Sequence, residues 1–182
     1  NSSLKDAIVH FGGGCTAEVV SKQGLILTNH HCGYSQIQQH STLENNYLKV
    51  GFWAMSKIEE LTNPGLTATF IVSIKDVTNE VFIDTSGLSN SEFKKTISKN
   101  ILKIQNQSGN QPNYKYVVKP FFYGNKYYLI TSKTYKDVRL VGAPPSAMGK
   151  FGGDTDNWVW PRHTCDFSVF RIYAGADNKP AE

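Results

Sequence analysis

The sequence predicts a mostly β protein. Aromatic side chains are abundant, with ten Phe, nine Tyr and three Trp among 182 residues, and such residues suit a pleated, half-buried surface. Near the N-terminus, short apolar runs alternate with glycine-containing breaks. The second half carries a long aromatic run, "YKYVVKPFFYGNKYYLITSKTY", with turn residues in its middle.

Taken in order, residues 7–11, 15–21 and 25–29 are expected as strands, separated by "GGG" at 12–14 and "KQG" at 22–24. Ser41 and Glu44 have capping-box spacing, which predicts a helix at the start of "STLENNYLKVGFWAM". "LTATFIVSIKDV" is expected as a strand. Ser89 and Glu92 repeat the capping box ahead of Phe93, Ile97, Ile101 and Ile104, which fall on one face of a helix. In the aromatic run, Gly124 and Asn125 are expected as a two-residue hairpin turn. "GAPPSAMGKFGGD" reads as a long loop, and "CDFSVFRIYAG" as a closing strand. With no internal repeat, low-complexity tract or flexible linker, residues 1–182 are expected to form a single domain.

Composition narrows the function classes. A net charge of +4 is spread over scattered lysines, whereas nucleic-acid binding calls for a basic face interleaved with stacking aromatics. No apolar stretch reaches the roughly 18 residues of a membrane span, and no signal-peptide pattern opens the chain. The chain starts at "NSSLKDAIVHF" without an initiator Met and stops at "NKPAE", so we expect it to be a piece of a longer protein. "GGGC" lacks the Gly-Lys-Ser/Thr of a phosphate loop.

The densest cluster of chemically active side chains is "LILTNHHCGY". A two-residue turn at Gln23 and Gly24 would set Cys15 opposite Cys32 at a non-hydrogen-bonded site, close enough for a disulfide. Such a bond closes a loop of about 18 residues, worth roughly 3 kcal/mol in the chain-entropy model, and implies an oxidising compartment. Two reduced core cysteines are the alternative. Cys165 is left unpaired. His31, next to Cys32 at the strand end, is favoured over His30 as a rigidly held general base. An adjacent His pair also suits a turn or a metal site. A base needs an orienting carboxylate at a strand edge, and Asp166 in "HTCDFSVF" sits where a polar segment becomes an apolar strand, although a strand-entry cap fits there too.

"TNHHC" resembles the histidine motif of chymotrypsin-fold serine peptidases. More closely, "FGGGCTAEVVSKQGLILTNHHCGY" and "FGGDTDNWVWPRHTCDFSVFRIY" are similar to the bacterial dipeptidyl-peptidase 7/11 family, peptidase family S46, over essentially the whole chain. The resemblance implies the first, six-stranded-type β-barrel of a chymotrypsin-like double barrel, with one or two short helices inserted. It implies His31 as general base, Asp166 as its partner, and the Cys15–Cys32 disulfide beside them. Asn157 would bind the substrate's α-ammonium group, an amide oxygen accepting its hydrogen bonds, with Trp158 as a subsite wall. The implied partner is a peptide with a free N-terminus. No cofactor or metal is expected, and neither nucleic acid nor a membrane span. The implied location is the periplasm, cell surface or exterior of a bacterium, and the full-length protein would be a homodimer.

One departure stands out: no serine lies in a "GNSG"-like loop. The nucleophile, the second barrel and a helical cap domain would lie outside this chain, which alone should fold and be inactive. Two other readings stay open. One is a trypsin-like endopeptidase fragment; the other is a non-catalytic β-barrel binding module, including a zinc site at His31, Cys32, His163 and Cys165, whose spacings are unusual for zinc.

Overall fold

The computed structural model describes residues 4–149 and 165–175. The elements in chain order are β1 (Ile8–Phe11), β2 (Cys15–Val19), β3 (Leu25–Thr28), α1 (His30–His40), α2 (Tyr47–Val50), β4 (Phe52–Trp53), β5 (Leu61–Thr62), β6 (Ala68–Asp76), α3 (Thr78–Val81), α4 (Asn90–Gln107), β7 (Tyr114–Phe121), β8 (Lys126–Tyr135), β9 (Asp137–Ala143), α5 (Ser146–Gly149) and β10 (Ser168–Tyr173). The fold is mostly antiparallel β with few helices, as the sequence predicts. The chain divides into two compact units, one formed by residues up to Thr69 together with those from Tyr135 onward, the other by Phe70–Thr134.

In the first unit the strand order is β4-β9-β10-β3-β2-β1, and β5 also pairs with β9. Closure of these strands into a barrel is not shown by the pairings of the described residues. β10 lies between β9 and β3, with Ser168 opposite Thr28, so the residues just before β10 and just after β3 meet at one end of the sheet. Val9, Phe11, Ala17, Ile26, Ile37, Val138, Leu140 and Phe170 are buried, and the Phe11 and Phe170 rings lie 4.9 Å apart. A second buried network joins Glu60 to Arg171 (Nε to Oε1, 2.9 Å) and to the Tyr173 hydroxyl (2.6 Å). Burial, then the Glu60 carboxylate, pushes the Tyr173 phenol up to about 12.

The second unit has β6-β8-β7 as its strand order and a core of Val77, Val81, Ile97, Val118 and Leu129. The capping box at Ser89 and Glu92 is formed. Of the expected helix face, Ile97 is buried, and Ile101 and Ile104 pack against the core. The Phe93 ring meets Phe82.

Three local expectations are corrected. The first hairpin does not turn on Gln23 and Gly24: Leu27 faces Glu18, where a two-residue turn would have set it against Val20. The Ser21 hydroxyl accepts from the Gln23 and Leu25 amides (3.2 and 3.1 Å), which stabilises a longer turn. The aromatic hairpin slips in the same way. Lys126 faces Phe121, and Phe122 and Tyr123 take left-handed backbone angles (φ 50° and 58°) in the connection. A slip of two residues leaves each side chain on its expected face. Finally, Ser41 does not open a helix but ends α1, its hydroxyl donating to the Ile37 carbonyl at 2.9 Å; the next helix starts at Asn46, whose side chain accepts from the Lys49 amide.

Candidate active site

His31 and Cys32 lie in the first turn of α1, not at a strand end as the sequence reading had them. The strand stops at Thr28 and the chain coils at once. Asn29 holds the N-cap position in extended geometry, but its side chain makes no cap hydrogen bond. Instead its Nδ2 donates to Asp166, to Oδ2 at 3.1 Å and to the backbone carbonyl at 3.3 Å. The early amides of a helix have no intrahelical acceptor, and that of His31 donates to Asp166 Oδ1 at 3.1 Å. Asp166 therefore serves α1 as an N-terminal acid, favoured by the helix dipole.

The remaining contact is between side chains: His31 Nδ1 lies 2.9 Å from Asp166 Oδ2. An ionised carboxylate only accepts hydrogen bonds, so Nδ1 carries a hydrogen, and in the neutral ring Nε2 is the nitrogen with the lone pair. Burial pulls the Asp166 carboxyl up. The His31 amide, imidazole and charge, with the Asn29 amide, outweigh it and hold the group below its ordinary value. The His31 side chain is 62% exposed against 11% for Asp166, so the ring has one edge anchored and the other open to solvent.

The support around this pair is built from small residues. The Ser168 hydroxyl donates to the Asn29 carbonyl at 2.9 Å. Gly33 permits the approach: a β-carbon there would stand 2.7 Å from Ser168 Oγ and 3.0 Å from the Phe170 ring. Cys15 and Cys32 form the expected disulfide, with Cα atoms 6.0 Å apart, but it ties β2 to a helix rather than strand to strand. His31, Cys15 and Cys32 offer ligand atoms within 4.8 Å of one another. With both sulfurs joined, neither cysteine is a thiolate, the form that binds zinc. Cys165 is free and exposed.

His30 has the opposite character. It is buried, its ring packs against Gly149, where a β-carbon would come within 2.5 Å of Cγ, and Nε2 lies 3.4 Å from Ser146 Oγ. Burial, against the opposing pull of the Pro144 carbonyl and the Asp166 charge, holds its pKa below the ordinary value. The structure thus brings His31, Asp166, Cys15 and Cys32 together and leaves His30 in the core. Asn157, Trp158 and His163 lie outside the described residues. Sequence reasoning missed Asn29 and Ser168, although an Asn directly before "HHC" is a typical N-cap residue and could have raised the helix. Chemically, an imidazole oriented by a carboxylate through Nδ1, with Nε2 exposed, is equipped to take a proton from a hydroxyl.

Comparison with known proteins gives the family. The family model described as Peptidase S46 matches residues 1–182. An Asp/Glu-specific dipeptidyl-peptidase of Capnocytophaga gingivalis is 58% identical over 182 residues, which cover 100% of this chain and 26% of that protein. A dipeptidyl-peptidase 7 of Phocaeicola vulgatus is 54% identical, covering 99% of this chain and 26% of its own length. The crystal structure of Porphyromonas endodontalis DPP11 in complex with substrate superposes with a TM-score of 0.83 at 52% identity, over 100% of this chain and 28% of that one. The chain spans about a quarter of the length of these relatives.

Proposed function

The chain belongs to the peptidase S46 family, and from that premise we propose that it is the His- and Asp-bearing part of a serine-type dipeptidyl peptidase, one that releases dipeptides from the free N-terminus of oligopeptides. The observation that carries this reading is the double hold of Asp166 on His31: one carboxylate oxygen on the ring Nδ1, the other on the backbone amide.

His31 is the general base. Its Nε2 takes the proton of a serine hydroxyl supplied by the rest of the protein as that oxygen attacks the scissile carbonyl. The same nitrogen then returns the proton to the departing amine. Asp166 fixes the ring and stabilises the imidazolium without itself taking the proton. Asn157 accepts hydrogen bonds from the substrate's α-ammonium group, and Trp158 walls that subsite. The serine and the oxyanion donors lie outside these 182 residues, so the chain alone folds and is inactive. Asp/Glu-specific and dipeptidyl-peptidase 7 relatives include members at the same 54% identity; side-chain specificity is therefore assigned to the remainder of the protein. The disulfide supports a periplasmic, cell-surface or extracellular location in a bacterium.

The test is turnover by the full-length parent of matched dipeptide-dye substrates with free and N-acetylated termini. Only the free amines should be cleaved, and His31→Ala and Asn157→Ala should both fail. Equal cleavage of acetylated substrates would assign the fragment to an endopeptidase and leave Asn157 as packing.

A further inference from the structure

Asn, Ser and Asp are the strongest N-cap residues, because the side-chain oxygen accepts a hydrogen bond from an early amide of the helix. Asn29 has the extended backbone of an N-cap, yet its side chain makes no such bond to α1. The group turns instead to a residue 137 positions away, where Nδ2 donates to both the carboxylate and the main-chain carbonyl of Asp166. A single amide grips Asp166 at two points.

The main chain of Asn29 is itself held firmly. The fully buried Ser168 donates its hydroxyl to the Asn29 carbonyl, and the Cys32 and Gly33 amides converge on the same oxygen at 3.2 and 3.3 Å. One residue earlier, the Thr28 hydroxyl donates to the Thr16 carbonyl at 2.7 Å. Asn29 thus stands where β3, α1 and β10 meet, and none of these bonds depends on how the His31 ring is turned.

That independence matters because a carboxylate turns easily about the bond that carries it, with broad, roughly two-fold preferences. Oδ2 of Asp166 accepts from His31 Nδ1 and from Asn29 Nδ2. The imidazole is the group to be oriented and is largely exposed, so it cannot fix the oxygen that is meant to fix it. The His31 amide holds Oδ1. Asn29 holds Oδ2 with a neutral donor, which leaves the negative charge of the carboxylate to the imidazolium.

We propose that Asn29 is a positioning residue of this site, acting on the His31 ring through Asp166 by fixing Oδ2 opposite Nδ1. The proposal rests on the dipeptidyl-peptidase reading, in which His31 is the base. Helix α1 forgoes a side-chain cap for this contact, so the position trades local stability for orientation.

The experiment uses the full-length parent and a dipeptide-dye substrate with a free N-terminus. Asn29→Ser keeps a cap-forming side chain that ends one atom short of the lost Nδ2. Its kcat should fall about tenfold with KM and melting temperature unchanged, the low end for one hydrogen bond to a charged group, as suits an exposed contact. Asn29→Asp, of nearly the same shape and equally suited to the N-cap, has no donor to offer and should show the same loss if the serine variant folds poorly. Introduced into Asp166→Asn, Asn29→Ser should change kcat by less than about twofold, because a residue that acts through Asp166 has nothing left to act on. An equal loss in both backgrounds, an unchanged kcat or a change confined to KM would overturn the positioning role while leaving the peptidase reading intact. A parent that cleaves no free-amine substrate, or whose Asp166→Asn variant keeps full kcat, overturns that reading and the role with it.

Discussion

In the unit of Phe70–Thr134, five aliphatic and largely buried residues form the core, and the polar contacts that brace it run from Ser89 with Glu92, three residues apart, to Asp76 with Lys126, 50 residues apart. In the unit that holds His31, the contacts that shape the site span most of the chain. Asn29 and Asp166 are separated by 137 residues, Ser168 and Asn29 by 139. The unit of Phe70–Thr134 is chiefly an exercise in covering apolar surface. The unit that holds His31 has an apolar core too, but it also spends polar groups on fixing one imidazole. Stability and geometry are thus carried by different residues, and substitutions should separate them.

The largest separation is expected at Asp166. In the full-length parent, Asp166→Asn should cut kcat by about ten-thousandfold, because an amide can hold the ring in the wrong tautomer, with the melting temperature little changed. Ile97→Ala should do the reverse, lowering stability by about 2–4 kcal/mol while kcat at a temperature where the protein stays folded is unaffected. Comparable losses of rate in both variants would erase the distinction between the units. Next in size is the staple. Replacing Cys15 and Cys32 by Ser together should cost about 3 kcal/mol in denaturant unfolding and reduce turnover as well, since the bond sits beside His31; unchanged melting and turnover would show it to be idle. The smallest effect belongs to the helix cap. Ser89→Ala should remove about 1 kcal/mol from the unit of Phe70–Thr134 and nothing from turnover, which sharpens the contrast with the disulfide.

How much of this was legible follows the same division. The Ser89 capping box, the face bearing Ile97 and the strand at Ala68–Asp76 are local patterns, and each appears where it was read. His31 and Asp166, singled out from the sequence, lie within hydrogen-bond distance and the cysteine pair is joined, but the route to the cysteines was wrong. "HHCGYSQIQQH" gives little sign of a helix, having one buried aliphatic residue, Ile37, and a glycine in its interior. That glycine is explained only by its packing on Ser168 and Phe170, a contact between distant parts of the chain. Both hairpins slipped because turn chemistry, the Ser21 hydroxyl in one and left-handed Phe122 and Tyr123 in the other, displaced the shortest turn. The slip by two changed the cross-strand partners without turning any side chain to the other face.

The exposed thiol of Cys165 bears on how the protein is made. Three cysteines permit three single disulfides, of which the fold uses one. Expression in a reducing cytoplasm leaves the staple unmade, and air oxidation during purification then chooses among the pairings by thiol exchange. A preparation with Cys165→Ser, oxidised before concentration, removes the two wrong intramolecular choices at once.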